Sequence, residues 1–325
     1  MSTKSMTGSV TVAPSNASPQ VKSRADLICA GIDDQVELRE SLIRAGLFTV
    51  AVDSTPSSQN NIECYGRHSV VWLPGDYFLN ETLTIPAAAD VVIQAEGTYL
   101  HYDKPEGDVI LLTGMNRCRY YFGVIDTRSR GAALKVKPTR KMPALMSIIT
   151  YMGLIGHDQR GTGILLDTSE ENVCTNRFEG MDISGFDMGI YIPSPGSPTT
   201  PFRPTAKCDT NWFWVSYIRM CNTCIQEEGD SKYGRIDDNV WYVNVDASIP
   251  DSVAIRTAAI HGKWYVIMGT FHFEGKNKAL ILDPGARYNV IEMHPPIEEF
   301  AWENNSGSDT NVILSAKQQP FFRMA

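Results

Sequence analysis

The stretch Asn211-Trp-Phe-Trp-Val215 recurs along the chain. It aligns without gaps to three others, Asn176-Arg-Phe-Glu-Gly180, Asn239-Val-Trp-Tyr-Val243 and Gly262-Lys-Trp-Tyr-Val266, and more weakly to Ala286-Arg-Tyr-Asn-Val290. A second motif, a small residue followed by an apolar run, begins at Ala133, Gly163, Gly189, Cys224, Ala254 and Ala279. Its copies are 25 to 35 residues apart. Self-similarity at a spacing of this length indicates a repeat architecture.

Each repeat unit contains only short β-rich runs, which Gly, Asn, Asp and Pro interrupt. The period is too long for left-handed helices built from hexapeptides, and the units lack the helices of ankyrin or leucine-rich repeats. The pattern therefore predicts an all-β fold, a single-stranded right-handed parallel β-helix. In such a solenoid each coil hydrogen-bonds to the next at a spacing of about 4.8 Å.

Residues 33–46 form the one segment with a clear helical pattern. Asp34 is a candidate N-cap, Glu37 completes a capping-box pattern, and Gly46 is a candidate C-cap. Because the open ends of a solenoid expose unpaired backbone groups, we expect this helix to cap one end. The predicted organisation is an extended N-terminal arm and possible attachment segment (1–25), a capping-helix region (26–50), the β-helix (51–315) and a C-terminal tail (316–325). In that tail, Pro320-Phe-Phe-Arg323 is a candidate cover for the other end.

Composition excludes several classes of protein. The 325 residues carry 37 acidic and 29 basic side chains, a net charge of -8, which argues against nucleic acid as a partner. No apolar run approaches the roughly 18 residues of a membrane span, so we expect no membrane insertion. The first ten residues contain no apolar signal-peptide core, so we expect synthesis in a cytoplasm.

The seven cysteines read as reduced thiols, and the lone Cys221-Asn-Thr-Cys224 has no second pair, so we expect no metal site and no cofactor.

The N-terminal region resembles a known superfamily. Its matching segments are Ala25-Asp-Leu-Ile-Cys-Ala-Gly-Ile-Asp-Asp-Gln-Val-Glu-Leu38, Val70-Val-Trp-Leu-Pro-Gly-Asp-Tyr-Phe-Leu79 and Leu83-Thr-Ile-Pro86. Together they resemble the opening of pectate-lyase-like parallel β-helix proteins, in which a capping helix leads to the strand of the first coil. The likeness covers about residues 25–95, and the rest agrees in repeat style. That superfamily includes polysaccharide lyases, glycoside hydrolases, epimerases and bacteriophage tailspikes, so the resemblance implies a scaffold rather than one chemistry.

Within that superfamily, the polar arm and the absent signal core look most like a bacteriophage virion protein, tailspike-like or capsid-decorating. Such a protein would reside in the virion, bind a surface polysaccharide or other virion proteins, and form a homotrimer, as known tailspikes usually do. Two alternatives stay open: a purely structural assembly protein, and a polysaccharide lyase or glycoside hydrolase that acts on an acidic polysaccharide. Secretion by a non-classical route is the alternative location. The family's hydrolase signatures Asn-Thr-Asp, Gly-Asp-Asp and Gly-His-Gly do not occur.

The aligned stretches predict which aromatic side chains stack. If Phe178, Phe213, Trp241 and Trp264 point inward, the alternation of a strand turns the next residue of each stretch outward. Those outward residues are Glu179, Trp214, Tyr242 and Tyr265, with Trp212 and Lys263 beside them on the same face. Flat aromatic rings on consecutive coils favour packing against sugar rings. Two alternatives are a subunit interface and a different register that buries these aromatics in the core.

Acidic residues precede the aromatic stretches. Asp209 aligns with Asp237 one coil further on, and Asp238 aligns with His261. Carboxylates on adjacent coils would approach the separation of about 5–5.5 Å found in retaining glycosidases. Asp209, Asp237 and Asp238 are therefore candidate catalytic acids, and His261 a candidate ligand-binding residue. The alternative is that Asp and Asn cap backbone groups at turns, with Asn176, Asn211 and Asn239 forming a stacked amide ladder.

Basic residues concentrate in one part of this acidic chain. They are Arg117, Arg119, Arg128, Arg130, Lys135, Lys137, Arg140 and Lys141. One hypothesis is a patch that meets an acidic polysaccharide or an acidic neighbour in a virion. The alternative is a solvated surface.

Overall fold

A computed structural model describes residues 9–47, 69–139, 142–194, 207–229, 235–271, 276–295 and 297–315. The fold is all-β, a parallel β-solenoid of about seven turns, which confirms the predicted class. The first fourteen strands are β1 (Val10–Ala13), β2 (Leu27–Ile28), β3 (Ser69–Trp72), β4 (Gly75–Leu79), β5 (Leu83–Ile85), β6 (Ala88–Ala89), β7 (Val92–Tyr102), β8 (Ile110–Leu112), β9 (Met115–Asn116), β10 (Arg119–Thr127), β11 (Ala132–Val136), β12 (Ala144–Leu145), β13 (Ile148–Gly156) and β14 (Thr162–Leu166). The others are β15 (Val173–Cys174), β16 (Arg177–Ser184), β17 (Met188–Ile192), β18 (Lys207–Asp209), β19 (Trp212–Arg219), β20 (Thr223–Glu227), β21 (Arg235–Asp237), β22 (Val240–Ala247), β23 (Val253–Thr257), β24 (Lys263–Phe271), β25 (Lys278–Leu282), β26 (Val290–His294), β27 (Trp302–Asn304) and β28 (Val312–Ser315). The helices are α1 (Pro19–Lys22), α2 (Gln35–Arg44) and a 3-10 turn (Ile297–Glu299).

In the described residues, three parallel sheets run along the solenoid. The main sheet has the order β2-β1-β3-β7-β10-β13-β16-β19-β22-β24-β26-β28, with β4 also paired to β7. The second sheet runs β27-β25-β23-β20-β17-β14-β11-β8-β5, and the third runs β21-β18-β15-β12-β9-β6. Successive strands of one sheet come from successive coils of the chain. Side chains at one register position therefore form a column along the solenoid.

The inward column of the main sheet is aromatic, as the aligned stretches predict. Phe178, Phe213, Trp241 and Trp264 lie in register and are buried. Their ring centroids are 5.0, 3.8 and 4.7 Å apart along the column, and the rings are nearly parallel. Each such contact is worth about 0.5–1.5 kcal/mol beyond the area it buries. The second sheet contributes to the same core a buried column of branched residues: Leu134, Ile164, Ile190, Ile225, Ile255 and Leu280.

The turn that leads from the third sheet into the main sheet has the same form on successive coils. Its first residue adopts a positive φ, as at Thr210 (55°) and His261 (56°). The next position carries the predicted amide ladder. The side-chain oxygen of Asn211 accepts the backbone N–H of Asn176 at 3.1 Å, and that of Asn239 accepts the backbone N–H of Asn211 at 3.0 Å. The ladder thus satisfies backbone donors that a buried turn would otherwise leave unpaired.

The N-terminal helix is shorter than predicted, and the carboxylate before its first residue makes different hydrogen bonds from those predicted. Helix α2 begins at Gln35 and buries Leu38 and Leu42 in the core. Asp34 occupies the N-cap position, but its carboxylate makes no capping hydrogen bond to the helix. It accepts instead the backbone N–H groups of Gly31 (2.6 Å) and Phe78 (2.9 Å). The predicted capping box is therefore wrong, because a strand 44 residues away competes for the carboxylate. The capping role of the helix stays a prediction.

The N-terminal segment contributes to the main sheet. Val10–Ala13 pairs in parallel with both β2 and β3, so part of the segment predicted as an arm is a strand of the solenoid. The predicted tail, including Pro320–Arg323, lies outside the described residues. The described cysteines are free thiols, most of them buried. In the described ranges no helix has the length and apolar character needed to cross a membrane.

Candidate functional site

Three outward aromatic side chains on consecutive coils form a column that we name the aromatic ladder: Trp214, Tyr242 and Tyr265. They are partners in the register of β19, β22 and β24, as predicted. Trp214 is 44% exposed and Tyr265 is 39% exposed, so the register that would bury them is excluded. The ring centroids of Trp214 and Tyr242 lie 5.5 Å apart, and those of the two tyrosines 4.7 Å apart. Partial burial, and then the neighbouring Tyr265, raise the pKa of Tyr242.

A second outward column runs beside the aromatic ladder, nearer the turn. Trp212, Val240 and Lys263 are register partners, so Trp212 and Lys263 share a column but lie two coils apart. Trp212 is 51% exposed, and Lys263 is also exposed. The same column continues through Val290 and Val312, which are exposed as well. Both predicted ligand-binding residues therefore lie on the face of the aromatic ladder, and their role in binding stays a prediction.

The aromatic ladder lines a groove on the main sheet. One half, of about 490 Å³, is formed by the ladder together with residues such as Ser216, Ile267 and His294. A neighbouring depression of about 400 Å³ shares Trp214 and Ser216 and continues past Glu179 to Thr150. Together they cross the strands from β13 to β26, five steps along the sheet. At about 4.8 Å a step, this groove is roughly 24 Å long and parallel to the solenoid axis.

The charged groups at the two ends of the groove are paired with neighbours on their own strands. Glu179, one coil before Trp214, makes an ion pair with Arg177. Glu292, one coil after Tyr265, contacts His294 with 3.1 Å between its Oε1 and the histidine Nε2. The aromatic ladder thus lies between two carboxylates in one register column. A carboxylate beside an exposed aromatic ring can accept hydrogen bonds from ligand hydroxyl groups.

The predicted acidic residues lie around the turn at the edge of this face. Asp209 and Asp237 are register partners on β18 and β21, as the alignment predicts. The Nζ of Lys207 is 3.9 Å from a carboxylate oxygen of Asp209. Burial, and then a hydrogen bond with Asp209, raise the pKa of the Cys174 thiol to about 12. The assignment of Asp209 as a catalytic acid stays a prediction.

Asp237, Asp238 and His261 come together on adjacent coils. Nδ1 of His261 is 2.8 Å from a carboxylate oxygen of Asp237, and the histidine ring stacks on Tyr288 with centroids 5.1 Å apart. One ligand atom from each of Asp237, Asp238 and His261 lies within 4.8 Å of the others. The three could hold a divalent cation, and the same spacing is ordinary for a surface Asp–His pair. The sequence places these residues correctly and predicts no metal there.

Sequence reasoning misses a hydrogen-bonded network on the main sheet nearer the N-terminus. Nε2 of His101 is 3.1 Å from Oδ1 of Asp76, and Nε2 of His157 is 2.6 Å from Oδ1 of Asp126. Asp126 is the register partner of His101, so the four side chains form a chain across neighbouring coils. Tyr99 stacks on His101 at 4.6 Å. A register shift between Phe122 and Val124 precedes these residues, so an alignment that starts at the first residues of β7 and β10 is out of register when it reaches them.

The basic cluster is dispersed, and four of its six described residues make ion pairs. Its described ion pairs are Arg117 with Asp90 (2.7 Å), Arg130 with Glu106 (3.5 Å), Lys135 with Asp108 (3.4 Å) and Lys137 with Glu170 (3.6 Å). Arg119 lies on the main sheet, whereas Lys135 lies on the second sheet, so the cluster does not form one surface. Arg140 and Lys141 lie outside the described residues. These pairings favour the solvated-surface interpretation.

Comparisons with profiles of known protein families, with curated proteins and with solved structures find no match to this chain. The groove and the acidic turn beside it are therefore the features of the described residues that bear on function.

Proposed function

We propose that the chain is a β-helical virion protein that binds a surface polysaccharide in the groove of the main sheet. The observation that carries this proposal is the aromatic ladder, in which three rings are presented at intervals of one coil. The virion context rests on the resemblance of residues 25–95 to the opening of pectate-lyase-like proteins, among which are tailspikes.

The physical chemistry of the aromatic ladder suits a linear glycan. The C–H faces of a pyranose ring are apolar, so a sugar gains by packing on an indole or phenol ring while its hydroxyl groups stay free to hydrogen-bond. Trp and Tyr supply large contact areas at low cost in conformational entropy, since each has two side-chain torsions. The rigid β-sheet holds the rings in place before the ligand arrives, which reduces the cost of ordering the site on binding.

An array of bacterial and plant oligosaccharides tests this function directly. The purified chain should bind at least one glycan, and Tyr242→Ala should weaken that binding by about tenfold or more, since a lost aromatic platform is worth over 1 kcal/mol. The matched control is Trp302→Ala, which removes a similarly exposed aromatic side chain from the second sheet. The proposal fails if no glycan binds, or if both substitutions weaken binding equally.

The second candidate is an interface with another virion protein or with further copies of the chain, such as a homotrimer. Exposed Val290, Val312 and Leu314 extend the apolar face beyond the aromatic ladder, and contiguous apolar surface of this kind marks protein partners. Light scattering measures whether the purified chain associates with further copies of itself. If the chain is a trimer and Val312→Asp dissociates it without loss of glycan binding, the interface and the groove are distinct surfaces. A strict monomer would contradict the homotrimer.

The enzymatic alternative assigns Asp209, Asp237 and Asp238 as catalytic acids at the edge of the groove. A lyase would release unsaturated products, and a hydrolase would release new reducing ends, from a polysaccharide that binds the groove. The Asp237→Asn variant should then lose activity. If activity is present and this variant retains it, the assignment of these acids is wrong.

A further inference from the structure

We infer that the groove binds a polysaccharide with an extended, straight backbone, as in cellulose, in preference to one with a curved backbone, as in amylose. This inference rests on the proposed function and narrows it to one class of ligand. Its basis is the spacing, the straightness and the rigidity of the aromatic ladder.

The aromatic ladder is a row of contact points at nearly equal intervals. Trp214, Tyr242 and Tyr265 occupy one register column of three neighbouring strands. Their ring centroids are 5.5 and 4.7 Å apart, close to the spacing of about 4.8 Å between paired strands. The register shift between β19 and β22 comes after Val215, so it does not interrupt this row. A ligand that contacts all three rings must therefore present equivalent groups along a straight line, about one strand spacing apart.

The rings are held so that they cannot turn to follow a bent ligand. Tyr242 and Tyr265 stack on each other with an interplanar angle of 3°, and Trp214 stacks on Tyr242 at 28°. The residue before each ring belongs to the buried aromatic stack, and the strands β19, β22 and β24 are each paired on both sides. Turning one ring would break its contact with the next ring. The ligand must therefore fit the row, because the row does not adapt to the ligand.

Polysaccharide backbones differ in the property that this row can distinguish. In a cellulose-type chain both glycosidic bonds of each pyranose ring are equatorial and lie at opposite ends of the ring, so successive units continue in one direction. Each unit advances the chain by about the length of one sugar ring, which is close to one strand spacing. In an amylose-type chain one of the two bonds is axial, so the chain turns at every unit. A curved chain that contacts one ring of the ladder therefore moves away from the others.

The groove extends the same selection beyond the aromatic ladder. It runs parallel to the solenoid axis for roughly 24 Å, past Glu179 at one end and as far as His294 at the other. About five units of an extended backbone fit this length, at about one unit for each strand spacing. A curved backbone with the same number of units would lie partly outside the groove and lose those contacts.

Titration calorimetry with cellohexaose and maltohexaose tests the selection, because the two probes have the same composition and differ in the configuration of the glycosidic bond. Xylohexaose and mannohexaose with the cellulose type of linkage extend the test to other sugars. We expect at least one extended probe to bind about tenfold or more tightly than maltohexaose, since the curved chain loses ring contacts worth about three- to tenfold each. Its affinity should rise with chain length up to about the pentasaccharide and then stay constant.

Substitutions at the two ends of the aromatic ladder test whether one ligand spans it. Trp214→Ala and Tyr265→Ala should each weaken the binding of the extended probe by about three- to tenfold. The matched control Trp302→Ala, at an exposed aromatic residue of the second sheet, should leave it unchanged.

The outcomes separate this inference from the proposed function. Equal or tighter binding of maltohexaose would overturn the selectivity while leaving glycan binding intact. The same conclusion would follow if another glycan of the array bound and every extended hexasaccharide failed to bind, or if only one of the two end substitutions weakened binding. Absence of binding to every glycan would overturn the proposed function, and the inference with it.

Discussion

Glu227 is a buried carboxyl group, and replacing it by glutamine should stabilise the protein at neutral pH. The side chain is 1% exposed at the end of β20, inside the solenoid. It accepts hydrogen bonds from Oγ1 of Thr257 at 2.7 Å and from Nδ2 of Asn239 at 3.3 Å. In the described residues no ion pair involves it. Burial raises the pKa of Glu227 from 4.5 to about 7, and the hydrogen bonds offset only part of that rise.

The direction of the effect follows from proton linkage. The folded chain binds this proton more tightly than the unfolded chain does, so the free energy of unfolding falls as pH rises from about 4.5 to about 7. Since each pKa unit corresponds to 1.36 kcal/mol, the total loss from this group is about 3 kcal/mol. Below about pH 4.5 the carboxyl is protonated in both states, so its contribution to stability is fully present there.

The Glu227→Gln variant keeps an oxygen acceptor for Thr257 and removes the charge. Denaturation by guanidinium chloride from pH 4.5 to 8.5 should show a variant that is equal to the wild type at the acid end. At pH 8 it should be more stable by about 2–3 kcal/mol. Glu96→Gln, on an exposed residue of β7, is the control and should change neither value. The reasoning is refuted if the stability difference between the Glu227 variant and the wild type does not change with pH.

Three further substitutions test the packing of the solenoid, each by its effect on the denaturation midpoint. Trp241→Ala removes one of the two inner rings of the buried four-ring stack. It should cost about 3–5 kcal/mol, and a smaller loss would show that the stack adapts. Asn211→Ala leaves polar groups of the amide ladder unpaired, such as the backbone N–H of Asn176, and each should cost about 1–3 kcal/mol. The control Asn222→Ala, at an exposed residue, should change the stability by less than about 0.5 kcal/mol. Gly180→Ala forces a methyl group into the ring of a buried tyrosine and should cost at least about 1–3 kcal/mol, while Gly153→Ala, whose nearest neighbour is 3.8 Å away, should be tolerated.

The part of the fold that the sequence predicts is the part in which the repeats align without gaps. From Phe178 to Trp264 one aromatic residue per coil fixes the register, and the register fixes the inward and outward faces. Because side chains alternate along a strand, the residue after each inward aromatic must point outward. The aromatic ladder could be predicted for that reason. The stacked amides of Asn176 and Asn211 follow from the same alignment.

The parts that could not be predicted depend on contacts between coils whose repeats are irregular. The Asp76–His101–Asp126–His157 network follows a register shift between β7 and β10, and Asp76 contacts His101 although its register partner is Tyr99. The charge that the groove offers to a ligand also depends on contacts between side chains. Arg177 makes an ion pair with Glu179, and the sequence does not show that contact. Asp34 illustrates the same limit, because its carboxylate binds the backbone of a strand that is distant in sequence.

The buried aromatic stack has a spectroscopic consequence. The indole rings of Trp241 and Trp264 are nearly parallel, with centroids 4.7 Å apart and an interplanar angle of 6°. At that separation the electronic transitions of the two rings couple, and the pair should give a near-ultraviolet circular dichroism signal that neither indole gives alone. Because the rings belong to adjacent coils, that signal reports whether β22 and β24 remain stacked. The circular dichroism signal of this pair can therefore monitor the separation of adjacent coils without an added label.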